Sequence, residues 1–308
     1  MNELLYRAAL KTLLIYNRGR TRVTPVNIFL EKIIHFSRMN YYPNFKNPRI
    51  WSEYICQKKF YFDPHQLART ADKLRSREYV EKKIGKEYLT KLYDVISSES
   101  DITEAWYNGI PTPSIIKPNH ASERVYLNSD KNFNKFREGT AAFLTEFGNR
   151  NNEFYYKLIP PKLIIEEYLD SAGMGMTEFK LWVFHGKVEI IAVSGNIHAM
   201  KQRQNYHFRL YDREWNDAPV QVSNPTKDRM ARPPLLERMI ELAETLAGDQ
   251  DFIRVDFMKT PERLVFGELT SIPAAGRIFN ISLEDQRFIF EHYQDSNRRR
   301  HGHERLAR

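Results

Sequence analysis

The chain has a single cysteine, Cys56, in 308 residues. That excludes an intrachain disulfide framework and any zinc site built from several cysteines, and it suits a reducing compartment. Also missing is any run of about 18 apolar residues able to span a bilayer as a helix. The opening MNELLYRAAL lacks the uninterrupted apolar segment and small-residue cleavage site of a secretion signal, so a cytoplasmic location is expected. There is no internal repeat and no low-complexity stretch. What is present, 42% hydrophobic and 28% charged residues, describes a globular chain with ample material for a core.

Acidic residues are scarce at the two ends. Residues 1–40 carry Arg7, Lys11, Arg18, Arg20, Arg22, Lys32 and Arg38 against Glu3 and Glu31, a net of +5, and the segment from Ser296 has a net of +4. The total is +8, so the body between is close to neutral. Basic ends can meet an anionic membrane surface or an acidic polymer as a peripheral contact, or can simply be solvated. No nucleic-acid-binding motif accompanies the charge, so no specific nucleic acid is expected as a partner.

Apolar spacing predicts helices over Leu4–Tyr16 and Ile28–Phe36, a charged helical stretch over Thr70–Ile96 broken at Gly85, a helix over Phe133–Glu146 and another over Pro233–Ala247. Lys162–Asp170 reads as a buried strand, and Thr177–Gly195 as a hairpin turning at His185-Gly186. Strands mixed with helices in this way predict an α+β fold, antiparallel sheets covered by helices.

The most informative stretch is FIRVDFMKTPERLVFGELTSIPAAG, Phe252–Gly276. Two β-rich runs, Phe252–Met258 and Leu264–Leu269, flank a five-residue turn, KTPER. If Met258 pairs with Leu264, Arg254 faces Glu268, and Asp256 and Glu268 become diagonal neighbours on one face, roughly 7–8 Å apart at Cα. Carboxylates so placed can share magnesium; the alternative is a cross-strand Arg254–Glu268 ion pair beside a half-exposed Asp256. An even-numbered loop would put the two carboxylates on opposite faces.

Lys117 ends a short strand, PSIIK, ahead of PNHAS, small and polar residues able to turn the backbone over a phosphate. Lys73 and Lys180 are unremarkable singly. Adjacent Glu166 and Glu167 in IIEEYL point to opposite faces of a strand, so one needs a polar partner: an adenine amino group, or a structural lysine or arginine.

Taken in order, WSEYICQKKFYFDPHQLARTADKLRSREYVEKKIG, IIKPNHAS, IIEEYLD, EFKLWVFHGKV, LYDREWN, FIRVDF and FGELTSIPAAG resemble the TupA-like (teichuronopeptide biosynthesis) branch of the ATP-grasp superfamily. The resemblance covers most of the chain and leaves out the first 40 and last 20 residues. It implies two α+β lobes clasping ATP behind a basic helical extension at 1–45. An N-terminal lobe at 46–115, a small lobe at 116–170, a large lobe at 171–295 and a basic tail at 296–308 would follow. Lys73 and Lys117 would contact phosphates, and the loop Asn119, His120, Ser122 would close over them. Glu166 would take the adenine amino group, with Glu167, Tyr168 and Leu169 lining the base. Lys180 would face the phosphates; Asp256, Glu268 and, in place of a family asparagine, Thr270 would hold Mg2+. In the phosphate loop Ala121 and Glu123 replace the branch's glycines.

The implied reaction is carboxylate–amine ligation: ATP activates a carboxylate as an acylphosphate, and an amine displaces phosphate. Arg254, then Arg277, are the candidate acylphosphate clamps. The carboxylate is expected to be a uronic acid of a surface polysaccharide or a lipid-linked sugar acid. Lys201, Arg203, His207 and Arg209 of KQRQNYHFR are candidate contacts for it. Two alternatives stay open, an ATP-dependent sugar kinase or glycosyltransferase, and a catalytically weakened nucleotide-binding adaptor at a membrane surface.

Overall fold

The computed structural model describes residues 2–18, 20–122, 124–145, 151–169, 176–194, 208–223, 225 and 228–306, with side chains to residue 298. Two antiparallel sheets organise it. The smaller has the order β1-β4-β2-β3, formed by β1 (Leu92–Ile96), β2 (Ser114–Pro118), β3 (Tyr126–Asn128) and β4 (Leu163–Glu167). The larger has the order β7-β6-β5-β8-β9, formed by β5 (Thr177–Phe184), β6 (Lys187–Ser194), β7 (Arg209–Tyr211), β8 (Phe252–Lys259) and β9 (Leu264–Thr270).

Nine α-helices are described: α1 (Asn2–Tyr16), α2 (Pro25–Met39), α3 (Trp51–Tyr61), α4 (Pro64–Ala71), α5 (Lys73–Ile84), α6 (Glu104–Gly109), α7 (Phe133–Thr140), α8 (Leu236–Ala247) and α9 (Leu283–Leu306). Their local causes are ordinary. Helix α2 begins at Thr24 in a reciprocal capping box with Asn27, with Pro25 where its missing N–H is harmless. The N-cap of α5 is Asp72, whose carboxylate accepts from Leu74 N at 3.0 Å. Helix α8 buries Leu236, Met239, Ile240, Leu242 and Leu246 against one face of the larger sheet; each such side chain contributes about 1.5–3 kcal/mol. The other face of that sheet meets Trp51 and Tyr54 of α3 and Tyr293 of α9. The β5–β6 turn lies at His185-Gly186, both in the left-handed region, which suits the twist of a two-residue hairpin.

Three expectations change. The helical stretch Thr70–Ile96 is interrupted at Asp72, which ends α4 and caps α5, and Leu92–Ile96 is strand β1, paired with β4. That strand joins the smaller sheet, and the boundary expected at 115/116 falls inside β2, so the small lobe starts before residue 92. The basic end is not a separate tail, because α9 runs on to Leu306.

Candidate functional site

Residues from both sheets line one cavity of about 740 Å3. Its floor is the β8–β9 hairpin, whose register differs from the simple one. Lys259 pairs with Leu264 around a four-residue loop, an even number that alone would send Asp256 and Glu268 to opposite faces. Pairing continues to Phe257–Phe266; then the register shifts and Asp256 stands directly opposite Glu268. Gly267 is the extra residue of this β-bulge. Glycine suits the place because an added Cβ would lie 3.2 Å from the Asp256 carbonyl oxygen. The carboxylates thus share a face, as expected, but as an opposed pair and by way of a bulge.

Arg254 grips both. Its Nε and Nη2 donate to the two Asp256 oxygens at 2.7 Å each, and Nη2 also donates to Glu268 Oε1 and, at 3.1 Å, to Thr270 Oγ1. Lys180, across from Asp256 on β5, reaches Asp256 Oδ2 at 3.0 Å and Glu178 Oε1 at 2.7 Å. Asp256 is 1% exposed, sealed by these cations. Burial by itself would raise the pKa of Glu268; Arg254, Lys180, Lys73 and the Thr270 hydroxyl bring it to about 2. Burial lowers Arg254 less than Asp256 and Glu268 raise it. Glu268 Oε2 has no hydrogen-bond or ion-pair partner among the described residues and belongs to a residue lining the cavity.

The roof comes from the smaller sheet and α5. Lys73, Arg77, Lys117, Ser122, Glu166, Glu167, Tyr168 and Leu169 line it. In the β2–β4 register Ile115 faces Glu166, which puts Lys117 diagonal to Glu166 on the same face. Lys117 holds Glu166 Oε2 and Arg77 holds Oε1 at 2.7 Å. Both oxygens of Glu166 are thus engaged by cations. It is a buried counter-ion that fixes two cations, and of the two partners left open it takes the structural one. Burial and the neighbouring Lys117 lower Lys73 to about 8.

Other expectations are corrected. Asn119 is 1% exposed and spends its side chain on Asp72, Pro160 and Lys162, so it shapes the loop and does not face the cavity. His120 is buried behind it. Lys73 Nζ donates to the Ala121 carbonyl, tying α5 to the same loop. The Glu167 N–H is spent on the Lys91 carbonyl, and its carboxylate is held by Arg263 of the β8–β9 loop. Thr270 uses its hydroxyl between Glu268 (2.9 Å) and Arg254, a positioning contact in place of a metal ligand. Arg277 does not line the cavity; it binds Glu31 of α2 at 2.7 and 3.0 Å. Arg209 pairs with Asp217 at 2.8 Å. Lys201, Arg203, His207 and Glu123 lie outside the described residues. Sequence reasoning missed Arg77, although it follows Lys73 by four residues on one helix face, and it missed Glu153, Tyr155 and Tyr156, whose segment has no periodic signal.

A family model described as TupA-like ATPgrasp matches residues 54–287. No curated protein matches the chain. Among solved structures, similarity is found to D-alanine–D-alanine ligase from Bacillus anthracis complexed with ATP, at 14% identity and TM-score 0.40, covering 67% of this chain and 56% of that one. D-cycloserine synthetase DcsG gives 13%, TM-score 0.43, and coverage of 75% and 72%. Phosphoribosylamine–glycine ligase from Thermotoga maritima gives 12%, TM-score 0.40, and coverage of 69% and 51%. The chain thus spans little more than half the length of the first and third of these.

Proposed function

The chain belongs to the TupA-like ATP-grasp family, and from that premise we propose that it is an ATP- and Mg2+-dependent ligase joining a carboxylate to an amine. The observation that carries the reading is the opposed pair Asp256–Glu268, which the Gly267 bulge sets at the wall of a cavity that Glu268 lines together with Lys73, Lys117, Lys180 and Arg254. The residues fit a metal–polyphosphate ligand. Glu268 presents an unshared oxygen in a form that stays ionised down to about pH 2, and a magnesium ion needs few protein ligands when phosphate oxygens and water complete its shell. Asp256 becomes available only as Arg254 and Lys180 turn part of their charge toward the incoming phosphates. Bound Mg2+ would neutralise charge between the β- and γ-phosphates of ATP, which supplies the phosphoryl group that activates the carboxylate.

The protein's own work is positioning and charge. Glu166 holds Lys117 and Arg77 in place at the roof, and Lys73 ties the 119–122 loop to α5. Arg254 is held between both carboxylates at the cavity wall, close to where charge on a transferring phosphoryl group would develop. We take the carboxylate to be a uronic acid of a surface polysaccharide or its precursor. The basic ends support this by attracting an acidic polymer or membrane surface.

The test is incubation with Mg2+, ATP, pooled uronic acids and pooled amines. A ligase releases ADP and free phosphate in step with amide formation; phosphate retained on the sugar would replace this reading with a kinase. No turnover together with no ATP-dependent rise in Tm would remove both.

A further inference from the structure

Beyond the nucleotide end, the cavity contains a carboxylate that forms no ion pair among the described residues. Glu153 is 5% exposed and lines the cavity. Its Oε1 accepts the Tyr155 hydroxyl at 2.7 Å; its Oε2 has no hydrogen-bond or ion-pair partner among the described residues. Cations are near, but Lys59 and Arg277 are committed to Glu31. A buried carboxylate left without a cation is costly to the fold, which calls for a reason outside the folded chain.

The surroundings describe what would neutralise it. Tyr155 and Tyr156 pack in one apolar cluster with Trp182, Leu210, Val222 and Ile281, all of which line the same cavity. Tyr156 also links this end to the nucleotide end, lining the cavity together with Ser122 and Glu268. The site is thus a single anionic oxygen beside aromatic and aliphatic walls, adjacent to the phosphate-binding groups.

We infer that Glu153 is the receptor for the ammonium group of the amine substrate, and that this amine carries an apolar body seated against Trp182, Leu210, Val222 and Ile281. The inference rests on the ligase reading for the reaction but not for the binding. In the reaction the ammonium gives one proton to Glu153. The freed nitrogen lone pair forms the C–N bond as the C–O bond to phosphate breaks, and the departing phosphate carries off the second proton. Burial, the largest influence on Glu153, raises its pKa to about 7, a value suited to accepting a proton near neutrality.

Calorimetric titration with phenethylammonium as probe, against its neutral isostere phenethyl alcohol, tests the assignment with and without a non-hydrolysable Mg·ATP analogue. Wild-type protein should bind the amine at least tenfold more tightly than the alcohol. Glu153→Gln should lose at least tenfold for the amine, keep its affinity for the nucleotide analogue, and melt higher than wild type at pH 8, since it removes an uncompensated buried charge. Equal amine affinity in wild type and Glu153→Gln, no preference over the alcohol, no amine binding by wild type, or a lower Tm for the variant would each overturn the proposal. Amine binding that survives a failure to bind the nucleotide analogue would leave it standing and remove the ligase reading alone.

Discussion

Two networks of buried charge, one around Arg254 and one around Arg277, are built from the same residue types and serve opposite ends. In the second, Glu31 is fully buried. Both its oxygens are taken by Arg277, and Oε2 also meets Lys59 at 3.4 Å and the Asn152 amide at 2.7 Å. Lys59 further donates to the Ala275 carbonyl at 2.6 Å, and His35 bonds that of Gly276 at 3.1 Å. Ala274 and Ala275 hold left-handed backbone, with φ of 50° and 52°, a conformation costing non-glycine residues of order 1 kcal/mol each. The N-terminal helices therefore clamp a strained turn beside the site, and both Glu31 oxygens are partnered. Around Arg254 the pairing stops short: Glu268 keeps one oxygen open, and the open oxygen faces a cavity. Unspent valence, more than the presence of buried charge, separates a working site from a structural one.

The largest effect that tests this contrast is expected from Glu31→Ala. It strands two buried cations and should lower stability by about 3–5 kcal/mol, read as a shift in the chemical denaturation midpoint. Were the fold to tolerate the change, the closed network would lose its structural assignment. Next, Glu268→Gln should reduce Mg2+-dependent ATP consumption roughly 10^3-fold, about 4 kcal/mol of barrier, with a denaturation midpoint within about 1 kcal/mol of wild type. Asp256→Asn should match that loss of activity and also destabilise, because Arg254 and Lys180 close over Asp256.

A third prediction concerns pH and runs opposite for the two kinds of carboxylate. Glu153 has a folded pKa raised to about 7, so between the ordinary carboxylate value and about 7 the folded state holds a proton the unfolded state has lost. Stability attributable to Glu153 is therefore present at low pH and lost as pH rises through that window. The full size is up to about 3 kcal/mol. The groups facing Glu153 are Tyr155, Lys59, Arg277 and Glu31. Glu31 and Glu268, whose pKa values are depressed, contribute stability above the ordinary carboxylate range and lose it only on strong acidification. Denaturation from pH 5 to 8 should thus show wild type falling relative to Glu153→Gln; parallel curves would mean that Glu153 is ionised throughout.

Much of this was legible in the sequence, for reasons that also mark where legibility stopped. Strong periodicity gave α8 and the β5–β6 hairpin, and Lys117, Lys180 and Glu268 all line one cavity, with Asp256 buried beside Lys180 and opposite Glu268. The ion pairs of Glu166 and Arg277 could not be read, because their partners, Arg77 and Glu31, are remote in the chain and only tertiary packing introduces them. Glu153 carried no pattern at all. The register of the metal hairpin was the instructive case: loop length counts parity only for a ladder without bulges, and nothing in KTPER foretells an extra residue four positions after its end.

That bulge supplies the smallest and most pointed test. Without it, pairing onward from Phe257–Phe266 would set Glu268 opposite Val255, on the face packed against α8, and Asp256 would have no carboxylate opposite it. In Gly267→Ala the new methyl would meet the Asp256 carbonyl oxygen at 3.2 Å and its Cβ at 3.4 Å. The strand must then give by a few tenths of an ångström, at about 1 kcal/mol. Because the displaced atoms belong to Asp256 itself, the loss should appear in the Mg2+ concentration needed for half-maximal ATP use, with a change under about tenfold for so small a shift. A substitution elsewhere on the hairpin of similar stability cost, such as Leu264→Val on the α8 face, should leave the Mg2+ requirement alone. If both variants raised it equally, hairpin stability rather than the bulge's placement of Asp256 against Glu268 would govern the site.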